Sequence, residues 1–446
     1  MTKLINALKY HKINAPVWVG KLASLIPFEI RPGVGKIYRL KKHEIKKYAS
    51  LKVSEKKHEI FKSFFCVFNH AYNNIPFYND FYQHKHKIDL RDIQSYEDIK
   101  SLPIITKDFL QNVPIEERSF KTPNRLLVNT GGSSGKPFSF YMDPMRYGNE
   151  WAHLHKMWRT HNYKPNKLML KFDGRCSNEN NIEYDFVRNI FKINLNKPYA
   201  DTLIELQKIV KSYKIEYFLG YPSAIFEFVK YCETENKELL HHLKRTLVCI
   251  FFSSEYPIQF QRNYIEDILG ICTHSFYGHT ETCIMASETE KYIFKAFQTY
   301  GLSEAVEQNG NIHLVGTSYY NFASPLIRYD TEDLIEVVNN DDGLLNTFKI
   351  KQGRIGDFIL DENNKKVSLT GLLFGRHHIL FNYVTNIQIR SIKPGLAEIL
   401  YVADDDFSQK SAAKLFDASG VNIKFLYKRI KSPIKTISGK VPLKID

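Results

Sequence analysis

Between residues 145 and 250 the chain alternates helix-like and strand-like segments, and this alternation restricts the fold more than any other feature. WAHLHKMWRTHNY, LIELQKIVKSY and AIFEFVKYCE carry apolar residues at helical spacing, whereas KLMLKF, IEYFLGY and TLVCIFFS are apolar runs of strand length. Strands separated by helices pair side by side when each helix carries the chain back across the sheet face. The expected result is a mostly parallel sheet with helices packed on it. Upstream, residues 42–72 read as helix, NNIPFY interrupts with Asn and Pro, and LRDIQSYEDIKSL reads as a second helical piece leading to PIITKDFL. Over 124–142 the period switches to near two, so RLLVNT and FSFYMD are expected as strands on either side of a Gly-rich loop. Beyond residue 285 strands dominate, as in YIFKAFQTYG, NIHLVGTSY and LIRYDTEDLIEVV. After KQGRIGDF come shorter strand-like pieces, NIQIRSI, AEILYVA and VNIKFLYKRI, with one helical FSQKSAAKLFDAS. The expected class is α/β. A large N-terminal domain over 1–353 has mixed sheets and packed helices, with 1–60 as a helical or interfacial extension. A small α+β C-terminal domain covers 354–446.

Composition narrows the partners. The chain has 446 residues, is 43% hydrophobic and carries a net charge of +14, which favours anionic partners such as nucleotides, nucleic acid or a membrane surface. The Lys residues are dispersed and no nucleic-acid-binding signature is present, so no nucleic-acid partner is expected. The six cysteines lie far apart without a CxxC pair, which argues against a zinc ribbon or a thioredoxin-type motif. Several sit in apolar runs and read as buried reduced thiols, pointing to the cytoplasm. No stretch approaches 18 apolar residues, so no spanning helix is expected. The first thirty residues lack a signal-peptide layout but mix Lys with Leu, Trp, Ile and Phe. Interfacial membrane contact is one reading of them, and packing on the main domain is the other.

The loop TGGSSGKP, Thr130–Pro137, has the chemistry of a phosphate cradle: small residues admit backbone N–H groups, hydroxyls donate, and Lys136 adds charge. It is not a Walker A loop, because Lys136 precedes Pro137 and the following segment reads as a strand. Taken alone it could also be a plain hairpin tip. Five further elements accompany it. Glu255 follows an apolar run in FFSSEYP. SFYGHTET sets Tyr277, Gly278, His279, Thr280 and Glu281 in a row: a ring to stack on a base, a bend, a hydroxyl, and a carboxylate able to hold Mg2+. SPLIRYDTEDL ends near Asp333, which could accept both ribose hydroxyls. Arg354 lies in GRIGD, and Lys440 follows Ser438 and Gly439 in IKTISGKVPL.

In order and spacing these elements resemble the adenylate-forming superfamily of acyl-CoA synthetases, luciferases and peptide-synthetase adenylation domains. The phenylacetate–CoA ligase and CapK-type branch is the most similar. NNIPFYNDFY, LPIITKDFL, FLGYPSAIFEF and NFASPLIRYDTED extend the likeness to about residues 60–446. The resemblance implies an adenylate-forming N-terminal domain and a mobile C-terminal lid. It implies an ATP site in which Thr130, Gly131, Gly132, Ser133, Ser134, Gly135 and Lys136 hold the β- and γ-phosphates. Glu255, Tyr277 and Gly278 would surround the adenine, Asp333 the ribose, and Arg354 would lie near the nucleotide. Thr280, Glu281 (also the Mg2+ ligand) and Lys440 would be the catalytic groups. Tyr221 and His279 would line the acid pocket, while His279 could equally bond a loop carbonyl. Gly356 stands where the family commonly has a hinge Asp or Lys, with Asp357 beside it, and Glu332 stands where the family usually has Gly.

The resemblance further implies an ATP-dependent carboxylate-activating ligase that forms acyl-AMP and pyrophosphate. Its acyl group would pass to CoA, a carrier thiol, or an amino-sugar or amino-acid acceptor, with a role in capsular or other surface polysaccharide assembly. Two alternatives stay open: acyl transfer through a covalent acyl-enzyme, with Cys283 the candidate thiol, and a degenerate binding protein of the same family. Homodimer formation is also left open.

Overall fold

The computed structural model describes residues 16–130, 138–172, 180–195, 197–352, 358–364, 366–373, 378–419, 421–435 and 441–445. The helices of seven residues or more are α1 (Val17–Ser24), α2 (Gly35–Tyr48), α3 (Val53–Asn74), α4 (Arg146–Trp158), α5 (Tyr199–Ser212), α6 (Pro222–Glu235), α7 (Lys237–Thr246), α8 (Gln259–Leu269) and α9 (Gln409–Leu415). The strands are β1 (Leu126–Thr130), β2 (Phe138–Met142), β3 (Leu168–Phe172), β4 (Ile182–Asp185), β5 (Ile190–Ile193), β6 (Ile215–Gly220), β7 (Cys249–Phe252), β8 (Cys272–Gly278), β9 (Met285–Glu290), β10 (Ile293–Ala296), β11 (Gly301–Gln308), β12 (Asn311–Ser318), β13 (Tyr329–Asp341), β14 (Leu344–Gln352), β15 (Phe358–Leu360), β16 (Lys366–Ser368), β17 (Val384–Lys393), β18 (Leu396–Ala403), β19 (Lys424–Arg429) and β20 (Lys444–Ile445). The expected mixed α/β class is found. Contacts divide the chain into two compact units. One comprises Met1–Ile13, Ile26–Lys164 and Phe276–Lys351; the other comprises Asn14–Leu25, Pro165–Ser275 and Gln352–Asp446.

In the first unit the strands run in the order β11, β12, β13, β14, β10, β9 and the end of β8. The pairings β11–β12, β12–β13, β14–β10, β10–β9 and β9–β8 are antiparallel. The buried face of α3, with Ile60, Phe64, Phe68, Ala71 and Tyr72, joins Phe138, Phe140 and Met142 of β2 and Leu302, Leu314 and Phe348 of the sheet in one core. The helix expected over 42–72 is broken at 49–52. It restarts because the Glu55 carboxylate accepts the Lys52 N–H at 2.8 Å, the reciprocal half of a capping box. LRDIQSYEDIKSL forms two 3-10 turns, Leu90–Asp92 and Glu97–Ser101, in place of one helix. There Asp98 accepts the N–H groups of Gln94 and Ser95, and Asp89 accepts that of Arg91, which competes with helical bonding.

In the second unit the alternation read from the sequence is realised: β7 pairs with β6, β6 with β3, β3 with β5, and the first residues of β8 with β7, all parallel. In that same sheet β4 lies antiparallel beside β5. The strands and the facing sides of α5 to α8 bury Leu203, Leu206, Phe218, Ile225, Phe228, Leu243, Ile250 and Ile265. The C-terminal residues add a four-stranded sheet in the order β19, β18, β17, β20, whose core includes Ile389, Ile399, Tyr401, Ala412 and Phe416.

Two buried histidines on α4 couple stability of the first unit to pH. His153 Nδ1 lies 2.8 Å from the Asn149 carbonyl and Nε2 2.8 Å from Thr299 Oγ1, while His155 Nδ1 lies 2.9 Å from Tyr38 Oη. Burial pushes each imidazole pKa down to about 3. Below pH ~6.5 the unfolded chain takes up protons that the folded chain refuses. Their contribution is therefore complete above ~6.5 and declines as pH falls toward 3. Lowering pH from 7 to 5 should cost about 2 kcal/mol per histidine, roughly 4 kcal/mol together. Urea unfolding at the two pH values measures the loss, and His155→Phe should flatten the dependence.

Candidate functional site

The segment NFASPLIRYDTED, residues 321–333, organises the first unit. The Asn321 amide accepts the Asp143 N–H at 2.9 Å and donates to the Tyr141 and Ser324 carbonyls at 3.1 and 2.8 Å. Ser324 Oγ accepts the Tyr141 N–H at 3.0 Å. These bonds fasten β2, whose antiparallel pairing with β1 runs from Leu126 opposite Met142 to Thr130 opposite Phe138. The strand–loop–strand setting expected for the Gly-rich loop is thus present. Its tip, Gly131, Gly132, Ser133, Ser134, Gly135 and Lys136, lies outside the described residues, as do the Thr130 side chain, Arg354, Gly356, Asp357 and Lys440.

Further along the segment, Arg328 makes a two-pronged ion pair with Glu304: Nε to Oε2 at 3.1 Å and Nη2 to Oε1 at 3.0 Å. Its Nη1 donates to the carbonyls of Lys100, at 2.9 Å, and Leu102. Both charged groups are buried. The Arg328 carbonyl accepts the Ile105 N–H, and the Ile105 carbonyl accepts the Asp330 N–H, each at 3.0 Å. The LPIIT block is thereby stitched to the start of β13.

Between the pairs His313–Leu334 and Val315–Asp330, three residues of β13 oppose Leu314 alone. A bulge of this kind turns a strand and re-aims its side chains. The Asp330 carboxylate sets the bulge, accepting the Glu332 N–H at 2.8 Å on one oxygen and lying 2.9 Å from His313 Nδ1 with the other. Thr331 Oγ1 donates to the Leu314 carbonyl at 2.7 Å and accepts the Asp333 N–H at 3.3 Å. Glu332 is forced to φ +64°, the left-handed region. That explains why a glycine would suit the position. Asp333 emerges buried, with Oδ2 accepting the Tyr277 hydroxyl at 2.5 Å. Two residues expected to serve one nucleoside are therefore in direct contact, although 56 positions apart.

Tyr277 is the last but one residue of β8, and the chain turns over His279–Ile284 before β9, with Thr282 at φ +59°. The Ile284 N–H donates to His279 Nε2 at 3.3 Å, so the imidazole proton resides on Nδ1, which lies 3.2 Å from the Glu281 carboxylate. His279 thus bonds a carboxylate and a backbone N–H. Glu281 is buried, whereas Thr280 is exposed at the turn. A single hard carboxylate suits Mg2+ held jointly with phosphate oxygens, and the donor set is not that of an all-protein cage. Cys283 is wholly buried in the core, and burial, reinforced by the Glu281 charge, pushes its thiol well above the ordinary range. A thiol so placed is a poor nucleophile.

Tyr221 and Glu255 belong to the second unit. Gly220 ends β6 at φ +151°, and a Cβ there would come within 2.1 Å of the Phe172 carbonyl, so only glycine allows this turn into α6. Tyr221 is buried at the N-cap of α6 and donates its N–H to the Phe172 carbonyl at 3.0 Å. Glu255 sits at the same helix terminus, accepting the Ser223 hydroxyl at 2.7 Å and its N–H at 3.3 Å, where a carboxylate is stabilised by the helix dipole. Its other oxygen accepts the Val441 N–H at 3.3 Å, so the residue following Lys440 is tied to Glu255. Sequence reasoning missed Asp330, His313 and Asn321. An Asp two residues before a backbone N–H in YDTED is an Asx-turn signal, so Asp330 was findable.

Removing one partner of a buried ion pair costs about 3–5 kcal/mol because the other charge is stranded. Arg328→Met should lose about that much in urea unfolding, and the Glu304→Leu/Arg328→Met double variant should lose less than Arg328→Met alone. At the bulge, Glu332→Gly should stay within about 1 kcal/mol of the parent, since relief of the left-handed strain offsets the added chain entropy. Glu332→Val, β-branched, should cost about 2 kcal/mol or more in the same measurement.

No family model matches the chain. It is 23% identical to Protein CapK of Staphylococcus aureus over 316 residues, 68% of this chain and 69% of that protein. Its fold is similar to 2-hydroxyisobutyryl-CoA ligase in the postadenylation state in complex with R3-HIB-AMP, with a TM-score of 0.63, 14% identity, and coverage of 89% of this chain and 90% of that one. It is also similar to the GH3.15 acyl acid amido synthetase, with a TM-score of 0.59, 13% identity, and coverage of 87% and 91%. At these identities the likeness is one of fold, over 87 to 89% of the chain.

Proposed function

We propose that the protein is an AMP-forming carboxylate ligase with ATP as co-substrate. The observation that carries this reading is the Tyr277–Asp333 contact, made within a unit that also holds the buried Glu281 and fastens β2 through Asn321 and Ser324. An aromatic ring beside a carboxylate is the minimal pair for a nucleoside: the ring stacks on the base and the carboxylate accepts ribose hydroxyls. In this reading the loop from Thr130 to Lys136 holds the β- and γ-phosphates, Gly278 at the end of β8 lies beside the base, and Arg354 lies near the nucleotide. Gly356 and Asp357 form the hinge of a C-terminal lid spanning 354–446. Glu255 braces the adenine side and, through Val441, the approach of Lys440. Tyr221 and His279 face the acid.

The chemistry follows from charge. A carboxylate oxygen attacks the α-phosphorus, the bond to the β-phosphate bridging oxygen breaks, and pyrophosphate leaves with that electron pair. The nucleophile is already ionised, so no general base is needed. Lys440 and Thr280 stabilise charge gathering on the α-phosphate, and loss of one such donor commonly costs about 10²–10³ in rate. Glu281 would hold Mg2+, which would supply neutralisation of phosphate charge. Orienting the two anions against their repulsion is the remaining task of the pocket. The thiol of CoA or of a carrier, or an amine, then attacks the acyl carbon, the acyl–phosphate oxygen bond breaks, and AMP leaves. In this reading the resemblance to CapK-type proteins links the reaction to surface-polysaccharide assembly, with the amine belonging to an amino sugar or amino acid if an amine is the acceptor. The acyl-enzyme alternative is weakened by Cys283, whose thiol is buried and raised in pKa.

Carboxylic acids from a panel should support ATP–pyrophosphate exchange, and Lys440→Ala should lower that exchange by about 10²–10³ while ATP affinity is kept. Absence of exchange with every acid, together with absence of ATP binding, would overturn the ligase and leave the degenerate binding protein.

A further inference from the structure

Two cysteines that lie apart in the sequence become neighbours in the parallel sheet of the second unit. Cys249 opens β7 and Cys272 opens β8, and the strands pair in parallel with Cys249 directly opposite Cys272. In-register residues on adjacent strands project from the same face of a sheet, with backbones about 4.8 Å apart. The two sulfurs lie within 4.8 Å of one another. Cys272 Sγ reaches across to the Val248 carbonyl at 4.0 Å, and Cys249 Sγ points to the Ile250 carbonyl at 3.7 Å. Both thiols therefore lean over the same short stretch of chain at the start of β7. Disulfides join residues whose Cα atoms are about 4.4–6.8 Å apart, so the strand spacing already meets the backbone requirement for a bond between these sulfurs.

The two thiols differ in access. Cys272 is exposed at the strand start, whereas Cys249 is buried. An oxidant in solution meets Cys272 first. The adjoining Cys272 thiol, and then burial, push the Cys249 thiol far above its ordinary range, which makes it a poor first nucleophile. Arg262 of α8 donates from Nη2 to the Thr273 carbonyl at 3.0 Å, and its positive charge acts on Cys249 in the opposite direction, toward thiolate. An exposed sulfur beside a resolving one is the arrangement that captures a sulfenic acid before it oxidises further.

We propose that Cys249 and Cys272 are a peroxide-sensitive dithiol pair, in which Cys272 meets the oxidant and Cys249 closes a reversible disulfide. The Cys272 sulfur attacks one peroxide oxygen, the O–O bond breaks, and Cys272 sulfenic acid and one water form. The Cys249 sulfur then attacks the sulfenic sulfur, the S–O bond breaks, and hydroxide leaves as water with the Cys249 proton. Two thiols have then lost two electrons and two protons, and hydrogen peroxide has become two waters. A thiol reductant reverses the bond by exchange. The link turns the β7–α8–β8 crossover, which contains Glu255, into a covalent loop. This goes beyond the ligase reading and does not depend on it.

The reduced full-length protein is treated with hydrogen peroxide, alkylated under denaturing conditions, digested and mapped by mass spectrometry. A peptide pair joined through Cys249 and Cys272, lighter by two hydrogens than the reduced peptides, should rise about tenfold or more over untreated protein and revert with dithiothreitol. Cys249→Ala should form no link and leave Cys272 as a sulfenic acid that dimedone captures. Cys272→Ser, altered at an exposed position, should leave Cys249 reduced at the same peroxide dose. A parent protein that shows no link, whether Cys272 stays reduced or reaches sulfinic acid, overturns the inference. So does a link that joins either sulfur to a different cysteine, or oxidation of Cys249 in the Cys272→Ser variant at the parent's rate.

Discussion

The buried pair between Arg328 and Glu304 is the constraint on which the first unit depends. A charged pair removed from water holds only if its remaining donors are satisfied. The guanidinium meets that condition by bonding the carbonyls of Lys100 and Leu102. One side chain therefore joins β11, the entry to β13 and the LPIIT block, drawn from positions more than two hundred residues apart. With Arg328 held, Ile105 bonds on both sides of Tyr329, and the bulge that follows has a fixed origin.

From that origin the segment works in both directions. Toward the N-terminal side, Asn321 and Ser324 fasten β2, and the Pro325 carbonyl accepts the hydroxyl of Tyr78 from the IPFY block. Toward the C-terminal side, Asp330 and Thr331 shape a bulge that Glu332 tolerates only in a strained conformation, and Asp333 emerges against Tyr277. Strain kept next to a presented carboxylate is common where geometry serves binding. In the second unit Glu255 performs a comparable service, holding both the start of α6 and the backbone at Val441.

Much of this was legible locally. The hairpin around TGGSSGKP, the parallel strands of the second unit and the α+β character of the C-terminal residues follow from short-range periodicity, and the structure has them. Boundaries were less legible. The interruption at 49–52 depends on one carboxylate at Glu55, and the two 3-10 turns depend on Asp89 and Asp98 competing for backbone N–H groups. The hairpin of β4 and β5 was not singled out, nor was α7. As for the site, Asp333 and Tyr277 were recognisable by residue type and order. Their contact was not, because nothing in either local sequence encodes the other.

The sequence by itself determined which segments could be helix or strand, where the Gly-rich loop falls, and which chemical groups the chain can offer an anionic ligand. These follow from side-chain spacing and from the conformational limits of Gly and Pro, which are local properties. Only the tertiary structure decided that Arg328 would find Glu304, that three residues of β13 would bulge against Leu314 to present Asp333, that Cys283 would be sealed in the core, and that α1 would turn Trp18, Leu22 and Leu25 outward. Such outcomes arise from pairing and burial between residues distant in sequence, where the favourable arrangement is a property of the packed whole.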